Sequence, residues 1–162
     1  MIDGDTDKKA YGYVTRINNG ETQVLVFQHP IREAGIQIPK GTVKPQEDAC
    51  QAVIREMKEE TGLENFHVEK LITEDFWENV DGAIHNRYFY QISVSNVPDE
   101  WDHQPTGGGD EAGLTFHFFW ISSEQCATYQ RAWRLFKPDI YLTCSLSQPA
   151  KISIDLGRLF FL

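Results

Sequence analysis

The chain has 162 residues, of which 41% are hydrophobic and 24% are charged, an ordinary composition for a globular protein with its own core. Its formal net charge of -9 argues against a nucleic-acid backbone as the main partner. The same charge does not exclude an anionic substrate, because divalent cations can mediate the contact.

The first half of the chain predicts a hairpin followed by a helix. Its predicted elements are strands at 11–17 and 22–29, a short apolar piece at 36–38 and a helix at 47–61. Asn19-Gly20 lies between the two strands and is a strong hairpin signal. Gly62 stands where a helix C-cap glycine is expected.

The second half of the chain predicts three more strands, at 66–76, 84–94 and 114–121, and a late helix at 122–135. Residues 97–113 are rich in Pro, Gly and Asp and predict a long loop of the kind that is often functional. Pro138 interrupts the late helix, and the tail at 139–162 has no clear pattern. The order of elements, without repeat or linker, predicts one α/β domain.

Three carboxylates lie on one side of the predicted helix. At about 100° per residue, Glu59 and Glu60 fall within about 60° of Glu56 on either side, so the three can converge on one point. A different face is predicted to be the core side and carries Cys50, Val53, Ile54 and Met57. Converging carboxylates suit Mg²⁺ or Mn²⁺. The alternative is a solvated acidic surface.

Residues 41–63, GTVKPQEDACQAVIREMKEETGL, match every specified position of the pattern G-x5-E-x7-R-E-U-x-E-E-x-G-U, where U is a bulky aliphatic residue. The matching residues are Gly41, Glu47, Arg55, Glu56, Met57, Glu59, Glu60, Gly62 and Leu63. This segment resembles the Nudix box. The resemblance implies a single Nudix-type domain over 1–162, an α/β/α sandwich with a mixed β-sheet.

The resemblance also implies an activity: Mg²⁺-dependent hydrolysis, with Mn²⁺ as the other candidate ion, of a diphosphate bond in a nucleoside diphosphate linked to another group. By box position, Glu56 and Glu60 are the expected metal ligands, together with the carbonyl of Gly41. Glu59 is expected to be either a third ligand or the group that deprotonates water.

Other box residues are expected to be structural. Arg55 and Glu47 would form a pair that holds the loop before the helix and steadies Glu56, and Gly62 would end the helix. The alternative for Arg55 is a surface arginine.

Several residues outside the box are candidates for the site. Family members often add an acidic residue from a later loop, for which Glu111 is the first choice and Asp110 the second, against the alternative of a flexible acidic loop. Lys40 could contact a phosphate, or be a surface lysine. Arg87 and Tyr88 could line the substrate cleft.

Aromatic residues divide into two groups. Phe76, Trp77 and Trp101 are candidates for stacking on a base. Phe116, Phe118 and Trp120 share one strand face at period two and are predicted to lie in the core.

The substrate class stays open. The chain lacks the downstream proline of ADP-ribose hydrolases, the downstream tyrosine of one diadenosine polyphosphate group, and the signatures of coenzyme A and NADH hydrolases. Pro39-Lys40-Gly41 resembles members acting on dinucleoside polyphosphates.

Other activities stay open as well. The alternatives are housecleaning hydrolysis of nucleoside triphosphates, a nucleotide-sensing module without catalysis, removal of pyrophosphate from an RNA 5′ end, and a calcium-binding structural helix. The intact carboxylates argue against a mere sensing module, and the acidic balance argues against RNA. The spacing of an EF-hand loop is lacking.

Compartment and partners follow from what the chain lacks. The start, MIDGDTDKK, has no apolar segment of a signal peptide, and no run approaches the ~20 apolar residues of a membrane span. Three cysteines without CxxC spacing, Cys50, Cys126 and Cys144, fit a reducing cytoplasm. The expected partner is a phosphorylated small molecule. The apolar tail suggests a homodimer through residues 152–162, or a tail that completes its own sheet.

Overall fold

The computed structural model describes residues 7–78, 81–122, 125, 143–144 and 152–153. Within them one mixed, open β-sheet packs against one long helix, α1 (Ala49–Thr61), which confirms the α/β class and the mixed sheet. The strands of this sheet are β1 (Asp7–Asn18), β2 (Glu21–Gln28), β3 (Ile36–Gln37), β4 (Lys40–Thr42), β5 (Phe66–Glu78), β6 (Ile84–Val94), β7 (Glu100–His103) and β8 (Phe116–Ser122). Two-residue strands β9 (Thr143–Cys144) and β10 (Ile152–Ser153) pair with each other.

The strand order is β5-β6-β1-β2-β8-β7, with β3 beside β2 and β4 beside β1. The β1–β6 pair is parallel, and the other pairs are antiparallel. Because β4 pairs with the first part of β1 while β6 pairs with its other edge, β1 joins the box segment to the far strands. This central position of β1 is what brings distant segments to one site.

The hairpin between β1 and β2 forms where Asn19-Gly20 predicts it. Asn18 pairs with Glu21, and the two turn residues have positive φ, 50° at Asn19 and 80° at Gly20. Two successive left-handed residues match the right-handed twist of the flanking strands, which is why Asn-Gly is favoured in such turns.

The core has two parts, one on each face of the sheet. The part under α1 includes Val53 and Met57 of the helix, together with Phe116, Phe118 and Trp120, all buried, as predicted for that strand. The other part includes Tyr13 and Phe89. Ile54, expected on the core side, is exposed. That expectation was wrong because the side of α1 that faces the sheet is centred on Val53, Met57 and Glu60, and Ile54 turns about 100° away.

One element prediction was wrong, and one strand was not predicted. The loop predicted at 97–113 contains strand β7 and a short 3-10 helix, Gly109–Glu111, because Glu100–His103 finds a pairing partner in β8. Strand β4 follows the short apolar piece at 36–38 and forms because it pairs with β1. Both pairings are tertiary contacts without a local signal.

Several predictions fall beyond the described part of the chain. Ser122 ends β8, and the remainder of the late helix predicted at 122–135, apart from residue 125, lies outside the described residues. The same is true of Pro138, of most of the tail at 139–162, and of the dimer contact at 152–162 except Ile152–Ser153. Among the helices that are described, none combines the length and the apolar character required to cross a lipid bilayer.

Candidate active site

Helix α1 has a defined cap at each end. The Asp48 carboxylate accepts a hydrogen bond from Gln51 N at 2.8 Å, and the Gln51 side chain accepts one from Asp48 N at 3.0 Å. At the other end Gly62 adopts φ 73° and donates its N–H to Lys58 O at 3.1 Å. The caps set where the helix begins and ends, and the packing of Val53 and Met57 on the sheet sets the directions of its carboxylates. The Asp-x-x-Gln spacing could have placed the N-cap from sequence.

Arg55 uses all five of its N–H donors within the box. It donates to both oxygens of Glu47 at 2.9 Å, to Glu56 Oε1 at 2.5 Å, to Glu59 Oε2 at 3.1 Å and to Thr42 O at 2.9 Å. The hydrogen bonds from Arg55 lower the pKa of Glu47 to about 2. They also raise the pKa of Arg55. The guanidinium therefore compensates the charge that the box concentrates on one side of α1.

Gly41 lies against Glu56 with no room for a side chain. A Cβ at position 41 would come 1.8 Å from Glu56 Cδ and 2.0 Å from its Oε1. Any larger residue would have to displace β4 or the carboxylate. The glycine thus lets the backbone of β4 approach the carboxylates of α1 directly.

Glu60 is buried, with only 4% of the residue exposed. Its Oε2 accepts a hydrogen bond from Lys40 N at 2.9 Å. Burial raises the pKa of Glu60 to about 8, with the neighbouring Glu111 and Glu56 adding to the rise and Lys40 opposing it. Burial likewise raises the pKa of Glu56, against the effect of Arg55. A buried carboxylate site with raised pKa is one that a cation would stabilise.

The segment after β7 docks on the C-terminal end of α1. Glu59 O accepts from Thr106 N at 3.0 Å and lies 3.2 Å from His103 Nε2, while Trp101 Nε1 donates to Thr61 O at 2.9 Å. These contacts satisfy carbonyls that a helix end leaves unpaired. A Cβ on Gly107 would lie 2.4 Å from Glu59 Oε2.

Docking of this segment brings two further carboxylates into the site. Asp110 and Glu111, in the 3-10 helix that follows Gly107, both line the same cleft as the box carboxylates. The docking contacts, which sequence analysis missed, have no local pattern that would have revealed them.

One cleft of about 550 Å³ collects these groups. Its carboxylate end is lined by Glu56, Glu59, Glu60, Asp110 and Glu111. Cationic groups line it as well, namely Lys9, Lys40, Lys44 and Arg55. The remaining wall includes Tyr11, Trp77 and His85. Four cationic side chains in one cleft of a chain with net charge -9 mark it as a place for an anion.

Lysines of the cleft are held by polar neighbours. Lys9 Nζ donates to Thr42 Oγ1 at 2.7 Å, and Lys40 Nζ contacts Gln37 Oε1. Sequence analysis singled out Lys40 but not Lys9 or Lys44. Lys9 shares a strand face with Tyr11 at period two, a signal that could have found it.

Two residues expected to line the cleft do not. Arg87 is buried and donates to both Asp75 oxygens at 2.7 and 2.6 Å, with its guanidinium carbon 5.6 Å from the Trp77 ring centroid. Tyr88 points to the α1 face of the sheet, where it packs on the core, and its hydroxyl accepts from Asn86 at 2.8 Å. The correction follows from strand alternation, since only one of two neighbours on β6 can face the cleft side, and Arg87 lies beneath that surface.

The candidate stacking residues separate in the same way. Trp77 lines the cleft, whereas Phe76 is 72% exposed and is not among the cleft residues. Trp101 stacks on Phe118 in the core, with ring centroids 5.0 Å apart. Only Trp77 of the three is placed to meet a ligand in this cleft.

The donor atoms of the site suit a divalent cation. Its acidic donors are all oxygen atoms, and the missing side chain of Gly41 leaves backbone next to Glu56, as a hard cation requires. Among the described residues, no three His, Cys, Asp or Glu side chains are grouped closely enough to enclose an ion as they stand. Glu56 and Glu59 are instead drawn to Arg55. Arg55 donates to one oxygen of each, so the second oxygen of Glu56 and of Glu59 would be left to hold Mg²⁺ or Mn²⁺.

Comparison with known families extends the likeness well beyond the box. A sequence model described as the NUDIX domain matches residues 8–141 of this chain. Among curated protein sequences, none matches it.

Solved structures share the fold. A crystal structure of an Ap4A hydrolase from C. elegans has 24% identity and a TM-score of 0.58, covering 82% of this chain and 92% of its own. A NUDIX hydrolase from Nitrosomonas europaea has 19% identity and a TM-score of 0.57, covering 78% and 79%. The Nudix hydrolase RenU from M. smegmatis has 14% identity and a TM-score of 0.54, covering 79% and 84%.

Proposed function

This chain belongs to the Nudix family of hydrolases that act on phosphoric anhydride bonds, and from that premise we propose that it is a divalent-cation-dependent pyrophosphohydrolase of nucleoside derivatives. Its substrate would be a nucleoside diphosphate linked to another group. We include a cytoplasmic location in the proposal, which rests on cysteine usage.

One observation carries the proposal. Five carboxylates from two segments and four cationic side chains line the same cleft. An anionic substrate could not enter beside those carboxylates without compensation, whereas a cation bound to them reverses the local charge. The combination therefore fits a phosphate chain held together with a divalent ion.

Within this proposal Glu56 and Glu60 hold the cation, with Glu59 and the Gly41 carbonyl as further ligands. The bound ion would neutralise phosphate charge and lower the pKa of a coordinated water. Arg55 holds Glu56 and Glu59 in place through hydrogen bonds. Its hydrogen bonds to Glu47 and to Thr42 O fix the position of the guanidinium. Gly62 ends α1 shortly after Glu59 and Glu60, which therefore lie in the last turn of the helix.

The reaction itself needs a water, a base and a positioned phosphate chain. Water attacks one phosphorus, the anhydride P–O bond to the neighbouring phosphate breaks, and the water proton passes to a carboxylate. Glu111 is the proposed base, with Asp110 second and Glu59 the alternative within α1. Lys40, assisted by Lys9, holds the phosphate chain in line for attack.

For the substrate we propose classes of compound and not a single compound. The C. elegans protein of similar fold is an Ap4A hydrolase, and Pro39-Lys40-Gly41 resembles members that act on dinucleoside polyphosphates. Nucleoside polyphosphates and dinucleoside polyphosphates are therefore the first substrates to test. Nucleotide sugars and damaged nucleoside triphosphates follow, and a non-catalytic sensing role is the remaining alternative.

The test is nucleotide and phosphate release across a substrate panel, with Mg²⁺, with Mn²⁺ and with chelator. The panel holds nucleoside triphosphates, oxidised triphosphates, dinucleoside polyphosphates, ADP-ribose, nucleotide sugars and a 5′-triphosphate RNA. We expect chelator-sensitive cleavage of one class, reduced at least about 100-fold in kcat by Glu56→Gln.

A matched control is Glu69→Gln, which removes a carboxylate from strand β5, outside the cleft lining. This variant should cleave at the wild-type rate. Cleavage that survives chelator, or that Glu56→Gln leaves unchanged, would contradict the assignment of the metal site. A folded protein that cleaves nothing on the panel would favour the sensing role.

A further inference from the structure

We propose that Tyr11, Trp77 and His85 form an aromatic wall of the cleft that binds the nucleobase of the substrate. The proposal deepens the proposed function and rests on it for the identity of the ligand as a nucleotide. Its experimental test is independent of hydrolysis.

Strand register builds this wall from three separate segments. Trp77 on β5 pairs with His85 on β6, and His85 pairs with Asp7 on β1. Directly paired residues point to the same face of a sheet, and Tyr11 lies on that face four residues after Asp7. All three proposed wall residues line the cleft. The wall therefore exists only because β5, β6 and β1 are neighbours.

Ring stacking positions the wall residues, since Trp77 and His85 stack on each other and Tyr11 stacks on Phe89 of the core. Trp77 and His85 have centroids 5.7 Å apart and planes inclined by 24°. Tyr11 stacks on Phe89 with centroids 4.8 Å apart and an angle of 26°. Rigid aromatic faces at low entropic cost are what a flat base requires.

Arg87 braces the wall from beneath. Its guanidinium carbon lies 5.6 Å from the Trp77 centroid and 5.5 Å from the Phe89 centroid, while Asp75 neutralises its charge through two hydrogen bonds. Burial raises the pKa of Tyr11, against the effect of Arg87, so the phenol stays neutral. The arginine is thus a positioning residue that contacts the wall and not the cleft.

Two lysines of the cleft, Lys9 and Lys40, are neighbours of the wall in the strand register. Lys9 pairs across with Thr42 of β4 on one side and with Arg87 of β6 on the other, and Lys40 pairs with Tyr11. A nucleotide with its base on the wall would place its phosphates beside these lysines and its scissile bond near Glu56 and Glu111. The cleft volume of about 550 Å³ suits a ligand of that size.

An alternative reading is that these rings only complete the core of the sheet. Tyr11 does pack against the core cluster that contains Phe89, whereas Trp77 and His85 belong to neither described cluster. Phe76, the sequence neighbour of Trp77, is also a large exposed aromatic residue on the same strand, but it lies outside the cleft lining. These two neighbours form a matched pair for an experiment.

The experiment measures binding of the nucleoside monophosphates AMP, GMP, CMP and UMP, and of ribose 5-phosphate, by calorimetry in the presence of Mg²⁺. Ribose 5-phosphate lacks the base and reports the phosphate contribution alone. We expect the wild type to bind at least one nucleotide more tightly than ribose 5-phosphate. Trp77→Ala should weaken the affinity for that nucleotide about 10-fold and leave the affinity for ribose 5-phosphate unchanged.

Two further variants keep the test decisive. Phe76→Ala should bind every ligand as the wild type does, and Trp77→Phe, which retains a ring, should keep most of the affinity for the base. If Trp77→Ala retains the full difference between nucleotide and ribose 5-phosphate, or the wild type shows none, the wall does not bind a base. If binding behaves as expected while the substrate panel shows no hydrolysis, the base site stands and the proposed catalytic function fails.

Discussion

The two ends of the cleft are built in opposite ways. The carboxylate end comes mainly from one continuous segment, residues 41–63, in which Arg55 makes five hydrogen bonds to residues of that same segment. The aromatic wall comes from β1, β5 and β6, and its arginine, Arg87, makes its ion pair across strands to Asp75. Each end has one arginine that positions side chains of that end: Arg55 hydrogen-bonds to Glu56 and Glu59, and Arg87 lies over the Trp77 ring.

The two proposed sites place different demands on the chain. A cation site needs several oxygen atoms at fixed angles, and a helix that is capped at both ends and packed on the sheet supplies them. A base site needs only a flat, rigid surface at the right distance, which any suitable pair of strand positions can supply. The tests that follow act on one end at a time, in order of their expected effect on hydrolysis.

Replacing Arg55 should have the largest effect. Arg55→Ala leaves Glu47, Glu56 and Glu59 without their shared partner, and we expect kcat to fall about 100-fold. Because the group is largely buried, the free energy of unfolding should fall by about 2–4 kcal/mol. Steady-state kinetics and urea unfolding measure the two effects.

Arg55→Lys is the control for this change, since it keeps the positive charge but cannot make the forked hydrogen bonds. It should be intermediate in both measurements. A kcat for Arg55→Ala equal to that of the wild type would show that the hydrogen bonds of Arg55 are not needed for catalysis.

Gly107→Ala tests the joint between the box and the later loop. The new Cβ would lie 2.4 Å from Glu59 Oε2, and the backbone there needs no left-handed conformation, so the steric contact is the only expected defect. We expect kcat to fall about 10-fold as Glu59 or the segment carrying Glu111 is displaced.

A double-mutant cycle with Glu59→Ala isolates that contact. In the Glu59→Ala background, Gly107→Ala should cause no additional loss, because the clashing carboxylate is gone. Losses that simply add in the double variant would place the effect of Gly107 elsewhere.

Arg87→Met acts on the recognition end. Asp75 would keep a largely buried, uncompensated charge, so the free energy of unfolding should fall by about 3 kcal/mol. We expect KM for a nucleotide substrate to rise about 3-fold through a less well held Trp77, with kcat unchanged.

Asp75→Leu combined with Arg87→Met removes both charges and should recover most of the lost stability. The comparison between the two ends would be wrong if Arg87→Met lowered kcat as strongly as Arg55→Ala does, because Arg87 would then serve the reaction itself.

The pH dependence of stability should reflect Glu60. Its folded pKa of about 8 exceeds the ordinary value of 4.5, so the folded protein binds more protons than the unfolded chain between these limits. The contribution of Glu60 to the stability of the metal-free protein should therefore be fully present below about pH 4.5 and should be lost as pH rises toward 8.

Added Mg²⁺ should reverse this trend, because metal binding requires the deprotonated carboxylate. Thermal unfolding with and without Mg²⁺ across that pH range measures both, and the Mg²⁺-induced rise in Tm should grow with pH. In Glu60→Gln the pH dependence of this Mg²⁺-induced rise in Tm should disappear. A Tm difference that is the same at every pH would contradict the role given to Glu60.

Sequence alone determined the parts of this protein that depend on local spacing. The helix predicted at 47–61 and found at Ala49–Thr61, its C-cap at Gly62, the hairpin at Asn19-Gly20 and the α/β class follow from periodicity and from backbone conformations that few residues tolerate. The convergence of Glu56, Glu59 and Glu60 in one cleft follows from 3.6 residues per turn.

Tertiary structure alone decided which residues meet across the sheet. The burial of Glu60, the exposure of Ile54, the docking of Thr106 on Glu59 and the placement of Arg87 beneath Trp77 depend on which strands pair and which helix face they cover. Strand pairing joins segments far apart in the chain, so no local pattern encodes it. For that physical reason the sequence indicated the box carboxylates and Trp77 as separate candidates, whereas the stacking of Trp77 on His85 and its position against Arg87 appeared only in the fold.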